Sequence, residues 1–431
     1  MSASIIFQLL VLFGVLFLFL FLKFPVFLSM GLSLASYYFL FPGKLPLSII
    51  GQGIISGISD QNFVAVCFYF LLGDIMSHGS LGDRLVEFLQ ACVGHIHGSM
   101  AHVNILSSMV FAGISGSSVA DTASVGGMSL NAMKKAGFPA DFSAAVTACS
   151  AIIGPVIPPS TGLVLMAVYF HSSVRQMFLG GLIPGVLMGL FEIAIAYYLS
   201  KKRGYPCTEW AGWKNVLVKG KRGFAAFLLP AIVIGCLMAG IGTVVEIGAL
   251  ACLVAVGMEI FYKEITPKKL LQMVMRITVM SASLLALLSI SGVYTWILSS
   301  MGVANWMAGQ ITLLGVTPAA VVSCIVIFLL ILGFVLPVAV IQMVVIPVMV
   351  PVLTQLGVNA IWFGVIAVLV MQIGTNTPPV GTLIYVSASI AGCNSADVVK
   401  QDIPFIVGLV ALVALMIACP AIVTWLPTML I

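Results

Sequence analysis

Long apolar segments separated by short polar ones run along the whole chain. Each is close to the roughly 20 residues that an α-helix needs to cross a bilayer, and none resembles the short alternating strands of a barrel. The pattern therefore predicts an all-α polytopic membrane protein. The predicted spans cover residues 4–22, 25–41, 61–77, 177–199, 224–242, 246–262, 279–298 and 403–430.

Two further apolar segments are interrupted in the middle by glycine and proline. The first covers residues 141–170 and the second residues 360–390, and Gly374 lies 220 residues after Gly154. Because proline removes a backbone donor and clashes with the preceding turn, each segment is predicted to form two half-helices that meet at an unwound point. Unwound backbone at membrane depth is tolerated only where protein or a polar cavity satisfies it. The two breaks therefore predict one buried polar site.

Two segments that are too long for one span precede these broken helices. Residues 82–135 carry the small, hydroxyl-rich sequence GISGSS, which begins at Gly113, and residues 302–357 carry Gly333, 220 residues later. Small residues make a poor helix in mid-membrane. Each segment is therefore predicted to be a re-entrant helical hairpin with its tip at these glycines.

The constant spacing predicts an internal duplication. Residues 1–200 form the first repeat, residues 201–223 a cytoplasmic amphipathic connector, and residues 224–431 the second repeat. If a hairpin does not cross the membrane, each repeat has five spans, so the second repeat enters from the opposite side and the repeats are inverted. Sixteen of the eighteen Lys and Arg residues then share the side of the connector. The positive-inside rule makes that side cytoplasmic and both termini periplasmic.

Composition narrows the functional classes. Of the 431 residues, 61% are hydrophobic and only 7% are charged, which excludes an ordinary soluble domain. The net charge of +5 comes mostly from loop residues that set topology, so no nucleic-acid partner is expected. The nine cysteines include no CxxC pair and are interpreted as packing residues. No organic cofactor is expected.

Inverted repeats with paired hairpins and broken helices are the architecture of a secondary transporter, in which unwound carbonyl groups coordinate Na⁺. The N-terminal ends of opposed half-helices favour an anionic substrate group without a buried Lys or Arg. Asp121 either caps the second arm of the first hairpin or serves as a cation ligand. Glu192 is buried by its spacing, and its carboxyl group is either functional, paired or neutral.

Several motifs resemble those of the large membrane subunit, of the DctM or SiaM type, of tripartite ATP-independent periplasmic (TRAP) transporters. The resemblance covers nearly the whole chain, and its most specific part is the pair FAGISGSSVAD from Phe111 and IGPVIPPS from Ile153. The other motifs are LLGDIMSHGSLGDRL from Leu71, GHIHGSMAHVNI from Gly94, MKKAGFPADF from Met133, LGGLIPGVL from Leu179, KKRGYP from Lys201, IPVMVPVLTQLGVNAIWFGV from Ile346 and IGTNTPPVG from Ile373.

The resemblance implies a sodium-coupled importer of a small organic acid anion in the bacterial inner membrane, an elevator-type secondary transporter of the ion transporter superfamily. It implies a small membrane subunit of the DctQ or SiaQ type and a periplasmic substrate-binding protein of the DctP or SiaP type as partners, besides the lipid bilayer. Co-transported Na⁺ is expected at two sites, formed by Ser115, Gly116, Gly154 and Val156 and by Gly333, Gly374, Asn376 and Thr377. The substrate is expected at Ser117, Ser118, Pro155, Thr375 and Pro378.

One position departs from the family pattern. After the glycine of the second hairpin the family usually has an acid in the pattern GxxxD, whereas the fourth residue after Gly333 is Pro337. No carboxylate at this position is therefore present for the second sodium site or for the hairpin tip.

Other functions stay open on sequence alone. A sodium- or proton-coupled anion transporter without a binding protein, or a passive channel, is compatible with the same breaks. GISG at residues 113–116 matches the GxSG of an intramembrane serine protease, although His171 lies at a predicted span end and the second repeat has no matching serine. We therefore expect a transporter and not an enzyme. The breaks do not separate a sialic acid from a dicarboxylate, a keto acid or a sulfonate.

Overall fold

The computed structural model describes residues 3–59, 61–78, 81–115, 117–207, 210, 212–303, 305–306, 309 and 317–430. Helices account for most of these residues, and no strand occurs within these ranges. The predicted all-α membrane fold is confirmed. Within the same ranges, the six helices that are long and apolar enough to cross a membrane are Ser4–Phe21, Val174–Arg203, Val244–Phe261, Pro267–Ser300, Val338–Gln355 and Ser395–Ala418.

The helices are numbered in chain order. Those of the first half are α1 (Ala3–Phe21), α2 (Val26–Leu40), α3 (Leu47–Ile58), α4 (Asn62–His78), α5 (Leu81–Val93), α6 (Ser99–Ser115), α7 (Ser118–Ala123), α8 (Val125–Lys135), α9 (Ala140–Ser150), α10 (Thr161–Tyr169) and α11 (Val174–Arg203). Those of the second half are α12 (Gly212–Ala239), α13 (Val244–Phe261), α14 (Pro267–Ser300), α15 (Pro318–Gly333), α16 (Val338–Gln355), α17 (Ala360–Thr375), α18 (Thr382–Ala391), α19 (Ser395–Ala418) and α20 (Ala421–Leu430).

Helix α3 lies where the apolar pattern predicts only a loop between two spans. Its 12 residues are too few to cross a membrane, and glycines interrupt their apolar run. Its partner α14 begins at Pro267, well before the predicted span 279–298, because Lys268 and Lys269 hide the start of this 34-residue helix from an apolar pattern. The two helices pack along each other.

The segment predicted as the first hairpin divides into more parts than expected. Helix α5 is a separate amphipathic helix that packs on α12, where the ring of Phe88 meets that of Phe227 edge to face at 5.6 Å. The hairpin itself begins at Ser99, with α6 as one arm and α7 and α8 as the other. The predicted connector is also mostly helical, because α11 runs to Arg203 and α12 continues from Gly212 into the predicted span 224–242.

Two groups of helices have extensive contacts among themselves, and the contacts of α4 and α5 with α6 join the two groups. In the first group α3 and α4 pack on α14, α4 packs on α13, and α1 packs on α2. In the second group α9 contacts α6, α8, α18 and α19, while α17 contacts α10, α11, α15 and α19. Helix α9 is buried from Phe142 to its end and α17 from Trp362 to Gly374, so these two form the centre. Outer helices expose apolar side chains such as Phe39 and Leu253, as a surface facing lipid does.

The contact between α3 and α14 depends on Gly53 and Gly292. A Cβ atom on Gly292 would lie 2.7 Å from the carbonyl oxygen of Gly53. We predict that Gly292→Val separates the helices and lowers the melting temperature of the purified protein, at a cost of about 1–3 kcal/mol for overpacking. Gly235→Val is the control, since nothing lies within 4 Å of its Cβ position. Equal melting temperatures of the two variants, followed by tryptophan fluorescence, would contradict this packing.

Candidate functional site

The first broken helix unwinds between α9 and α10. A 3₁₀ turn, Ala151–Ile153, follows α9, and the chain becomes helical again only at Thr161. The hydroxyl of Ser160 accepts a hydrogen bond from the N–H of Leu163 at 3.3 Å and donates one to the carbonyl of Pro155, which caps α10. Every residue from 142 to 160 is buried. The backbone carbonyl groups of Gly154 and Val156 therefore belong to an unwound stretch inside the protein.

Helix α7, at the start of the second arm of the first hairpin, lies against this break. Helix α6 ends at Ser115, Gly116 lies outside the described residues, and α7 begins at Ser118. Asp121 is buried in the first turn of α7, and a Cβ atom on Gly154 would lie 2.2 Å from its Oδ2. Because Gly154 has no side chain, the Asp121 carboxylate can approach the unwound backbone. This position suits either of the roles predicted for Asp121.

The second hairpin and the second broken helix meet backbone to backbone. Helices α15 and α17 cross where Gly333 faces Gly374, and a Cβ atom on Gly374 would lie 2.6 Å from the Cα atom of Gly333. The N–H of Val380, beyond the break, donates to the carbonyl of Phe334 at 3.3 Å. The two backbones can approach this closely because both residues are glycines. It brings the helix end of the hairpin and the helix end of the break into one cluster.

Asn376 is the fully buried residue that follows α17, and its amide is oriented by an acid. Its Nδ2 donates to Oδ2 of Asp402, on α19, at 2.9 Å, and its Oδ1 has no hydrogen-bond partner among the described residues. Because Oδ2 of Asp402 accepts this hydrogen bond, Nδ2 of Asn376 faces Asp402 and Oδ1 points elsewhere. The Thr377 hydroxyl donates to the carbonyl of Ile373 at 2.7 Å.

A cavity of about 350 Å³ lies between the two breaks and the two hairpins. Four of the five predicted substrate residues line it, namely Ser117, Ser118, Pro155 and Thr375, whereas Pro378 is exposed and does not. Ser118 donates to Oε1 of Gln372 at 2.9 Å and so joins the two halves of the chain at the cavity wall. The wall on the side of the first helix group is apolar and consists of Phe70, Met280 and Leu284.

The described lining of the cavity combines an apolar surface with a few uncharged polar side chains. Among the described residues that line it, none is a Lys, Arg, His, Asp or Glu. Helices α10 and α18 both begin at it, with Thr161 and Thr382 in its wall. The N-terminal end of a helix carries partial positive charge and N–H groups that suit an anion. The arrangement is therefore suited to an anion held by neutral donors.

Glu192 is fully buried on α11, close to the second cluster. The thiol of Cys149 donates to its Oε1 at 3.6 Å, and Asp402 is near enough to interact with it electrostatically. Within the described part of the chain neither acid forms a salt bridge. Because an acid is costly to bury in a membrane, Glu192 stays a candidate functional residue.

Comparison with known proteins identifies the family. A family model described as the DctM component of the tripartite ATP-independent periplasmic transporter matches residues 13–422. The chain belongs to this DctM family. It is 32% identical to the sialic acid TRAP transporter permease protein SiaT of Haemophilus influenzae, over 88% of this chain and 62% of that protein. It is 30% identical to the large permease protein SiaM of Vibrio cholerae, over 88% of this chain and 90% of that protein.

The chain is also similar to a third permease and to a transporter of known structure. The DctM-family chain is 31% identical to the isethionate TRAP transporter permease protein DctMQ of Oleidesulfovibrio alaskensis, over 97% of this chain and 65% of that protein. It thus spans less than two thirds of both SiaT and DctMQ. Its fold is similar to that of the YdaH transporter of Alcanivorax borkumensis, with a TM-score of 0.64, 13% identity and coverage of 89% and 88% of the two chains.

The relatives are transporter permeases, so the chain is a transport protein and not an enzyme, as predicted. The protease interpretation of GISG is thereby excluded.

Three polar residues at or near the cavity were not among those predicted from the sequence. Asp402 precedes the predicted span 403–430 and resembles a solvated span end, but α19 begins at Ser395 and places it two turns inside. Gln342 and Gln372 both line the cavity, and each is a single amide within an apolar run. A single amide among apolar residues is the only feature of the sequence that could have indicated a role for these two glutamines.

The hydrogen bond between Ser118 and Gln372 is testable by a double-mutant cycle. We predict that Ser118→Ala and Gln372→Leu together destabilise the protein less than the sum of the two single changes, by about 0.5–1.5 kcal/mol. Unfolding in denaturing detergent measures the free energies. Ser118→Ala combined with Gln8→Leu is the control, since Gln8 bonds Tyr37 and Ser4 instead. Additive effects in the Ser118 and Gln372 cycle would show that the bond is absent.

Proposed function

We propose that this chain is the sodium-coupled transport subunit of a TRAP transporter and imports a small organic acid anion across the bacterial inner membrane. The observation that carries the proposal is the meeting of both hairpins and both helix breaks around one uncharged cavity. Unwound carbonyl groups at the breaks supply oxygen ligands for Na⁺, and the starts of α10 and α18 favour an anion.

The proposed sodium sites follow the two clusters. The first uses oxygens of Ser115, Gly116, Gly154 and Val156, where the hairpin tip lies against the first break. The second uses oxygens of Gly333, Gly374, Asn376 and Thr377, where Gly333 touches Gly374. Both clusters adjoin the cavity, so bound cations would offset the charge of an anionic substrate that meets no Lys or Arg there.

The proposed mechanism is an elevator with inverted repeats of five spans each and both termini in the periplasm. In support, α9 begins at Ala140 and α17 at Ala360, and α3 begins at Leu47 and α14 at Pro267, so each pair is 220 residues apart. The hairpins and broken helices would move as one body against α1 to α4, α13 and α14, together with α12, which packs on α13.

The proposed substrate class and partners come from the relatives. The relatives described above are named as transporters for sialic acid and for isethionate, both of which are organic acids. We infer that this chain takes an acid of this kind from a periplasmic binding protein and works with a small membrane subunit.

Uptake into proteoliposomes tests the function. The chain is reconstituted with its small subunit, the binding protein and one radiolabelled acid are added outside, and uptake is measured with and without an inward sodium gradient. We expect accumulation that requires both sodium and the binding protein, and its loss in Gly374→Leu, whose side chain cannot fit against Gly333. The matched control is Gly14→Leu, whose Cβ position has nothing within 4 Å.

Each alternative predicts a different result in this experiment. If uptake is driven by a pH gradient and does not depend on sodium, the coupling ion is H⁺ instead of Na⁺. Sodium-dependent uptake without the binding protein would indicate an independent anion transporter. Equilibration without accumulation would indicate a channel.

Asp402 gives a sharper test of the second sodium site. If Asn376 Oδ1 binds the ion, Asp402 positions it, and Asp402→Asn replaces the carboxyl acceptor by an amide, whose oxygen is a weaker acceptor and whose NH₂ group can face Asn376 instead. We predict that the sodium concentration for half-maximal uptake rises about tenfold, as expected for the loss of about 1.4 kcal/mol in the positioning of Oδ1. Asp402→Glu should restore part of the affinity. Asp397→Asn is the control, because Asp397 is on the exposed start of the same helix and pairs with Lys400 at 3.0 Å. Unchanged sodium dependence in Asp402→Asn would remove Asn376 from the site.

A further inference from the structure

A π-helical turn interrupts the second arm of the second hairpin. It covers Ile341–Val345, inside α16. Pro347 has no N–H group for the carbonyl of Met343, so the regular α-helical ladder cannot continue through this point. π-Helical turns are rare and often occur at functional sites, where they re-aim a side chain. The polar residue within this turn is Gln342.

Gln342 is buried, and its amide group lines the cavity. The side chain is 4% exposed, and Nε2 has no hydrogen-bond partner among the described residues. A buried N–H group without a partner is unfavourable, and a polar residue that merely joined helices would have a protein acceptor. The cavity is the remaining place for an acceptor. The amide therefore points to a ligand with a hydrogen-bond acceptor.

The first turn of α10, which lies against the Gln342 amide, indicates which hydrogen-bond acceptor a ligand would bring. A Cβ atom on Gly162 would lie 3.1 Å from Nε2 of Gln342, so the amide lies against the first turn of α10. That helix end has partial positive charge and its own N–H groups. A donor beside a helix N-terminus, in a cavity whose described lining residues carry no charge, suits an anionic oxygen better than a neutral or cationic group.

We propose that Gln342 is a substrate-binding residue that donates a hydrogen bond from Nε2 to a carboxylate or sulfonate oxygen of the transported acid, at the start of α10. The proposal rests on the proposed function. It places the acid group between the first half of the chain, which supplies α10, and the second half, which supplies Gln342. The rest of the substrate then faces the apolar wall of Phe70, Met280 and Leu284.

Equilibrium binding tests this assignment. The complex with the small subunit, in proteoliposomes supplied from outside with the binding protein, is first screened for sodium-dependent uptake of radiolabelled N-acetylneuraminate, succinate, a 2-oxo acid and isethionate. The dissociation constant of the transported acid is then measured at saturating sodium for the wild type, Gln342→Met and Gln342→Glu. Gln342→Met keeps the length of the side chain and removes the donor. We expect a rise of about 10- to 100-fold, as for one lost hydrogen bond to a charged group. Gln342→Glu should bind more weakly still, because its charge repels the acid.

The control is Gln8→Met, since Gln8 is an equally buried amide that lies on α1, outside the cavity. It should leave the dissociation constant unchanged. Elution of each variant as a single peak in gel filtration checks folding, and an unchanged half-saturation by sodium shows that the loss concerns the acid. An unchanged dissociation constant in Gln342→Met would overturn the role of Gln342 while leaving the proposed function intact. Absence of sodium-dependent uptake of all four acids by the wild type would overturn both.

Discussion

The need to satisfy backbone hydrogen-bonding groups inside a membrane is the constraint on which the rest of this structure depends. A helix that unwinds at membrane depth must be enclosed by other protein. The stretch around Gly154 is buried throughout, and α17 is buried almost to its break. At the tip of a hairpin, backbone N–H and C=O groups at the two helix ends have no partner within their helix, so the tip must also be enclosed by other protein. The tips and the breaks therefore share one interior, and a polar site surrounded by apolar helices results.

The parts of the fold that local chemistry determines were predictable from the sequence. Apolar length gave the helical membrane class, and the prolines after Gly154 and Gly374 marked where α9 and α17 end. Helix α3 was missed because it is short and rich in glycine and is stabilised by packing on α14. Asp402 was missed because its neighbours in the chain resemble a loop. Its burial depends on contacts with distant residues that no local pattern contains.

The distribution of charge explains how a cavity whose described lining carries no charge can belong to the proposed transporter of acids. Asp402 and Glu192 lie behind the second break rather than in the cavity, where Asp402 holds the amide of Asn376. The acid side chains are thereby kept near the proposed cation cluster and away from the proposed anion position. Amides, hydroxyls and helix ends remain for the substrate, and these donors are weaker than Lys or Arg. Weaker binding favours release, which a transporter needs as much as capture.

The contact between Gly333 and Gly374 has a consequence for how such a protein diversifies. No side chain takes part in it, and a single methyl group would disrupt it. Its tolerance to mutation is therefore close to zero, whereas Gln342, Thr375 and the apolar wall are ordinary side chains that replacement can reshape. Natural variation can then alter which acid is carried while the backbone contact stays the same. The proposed coupling to an ion and the choice of transported acid can, in this sense, evolve separately.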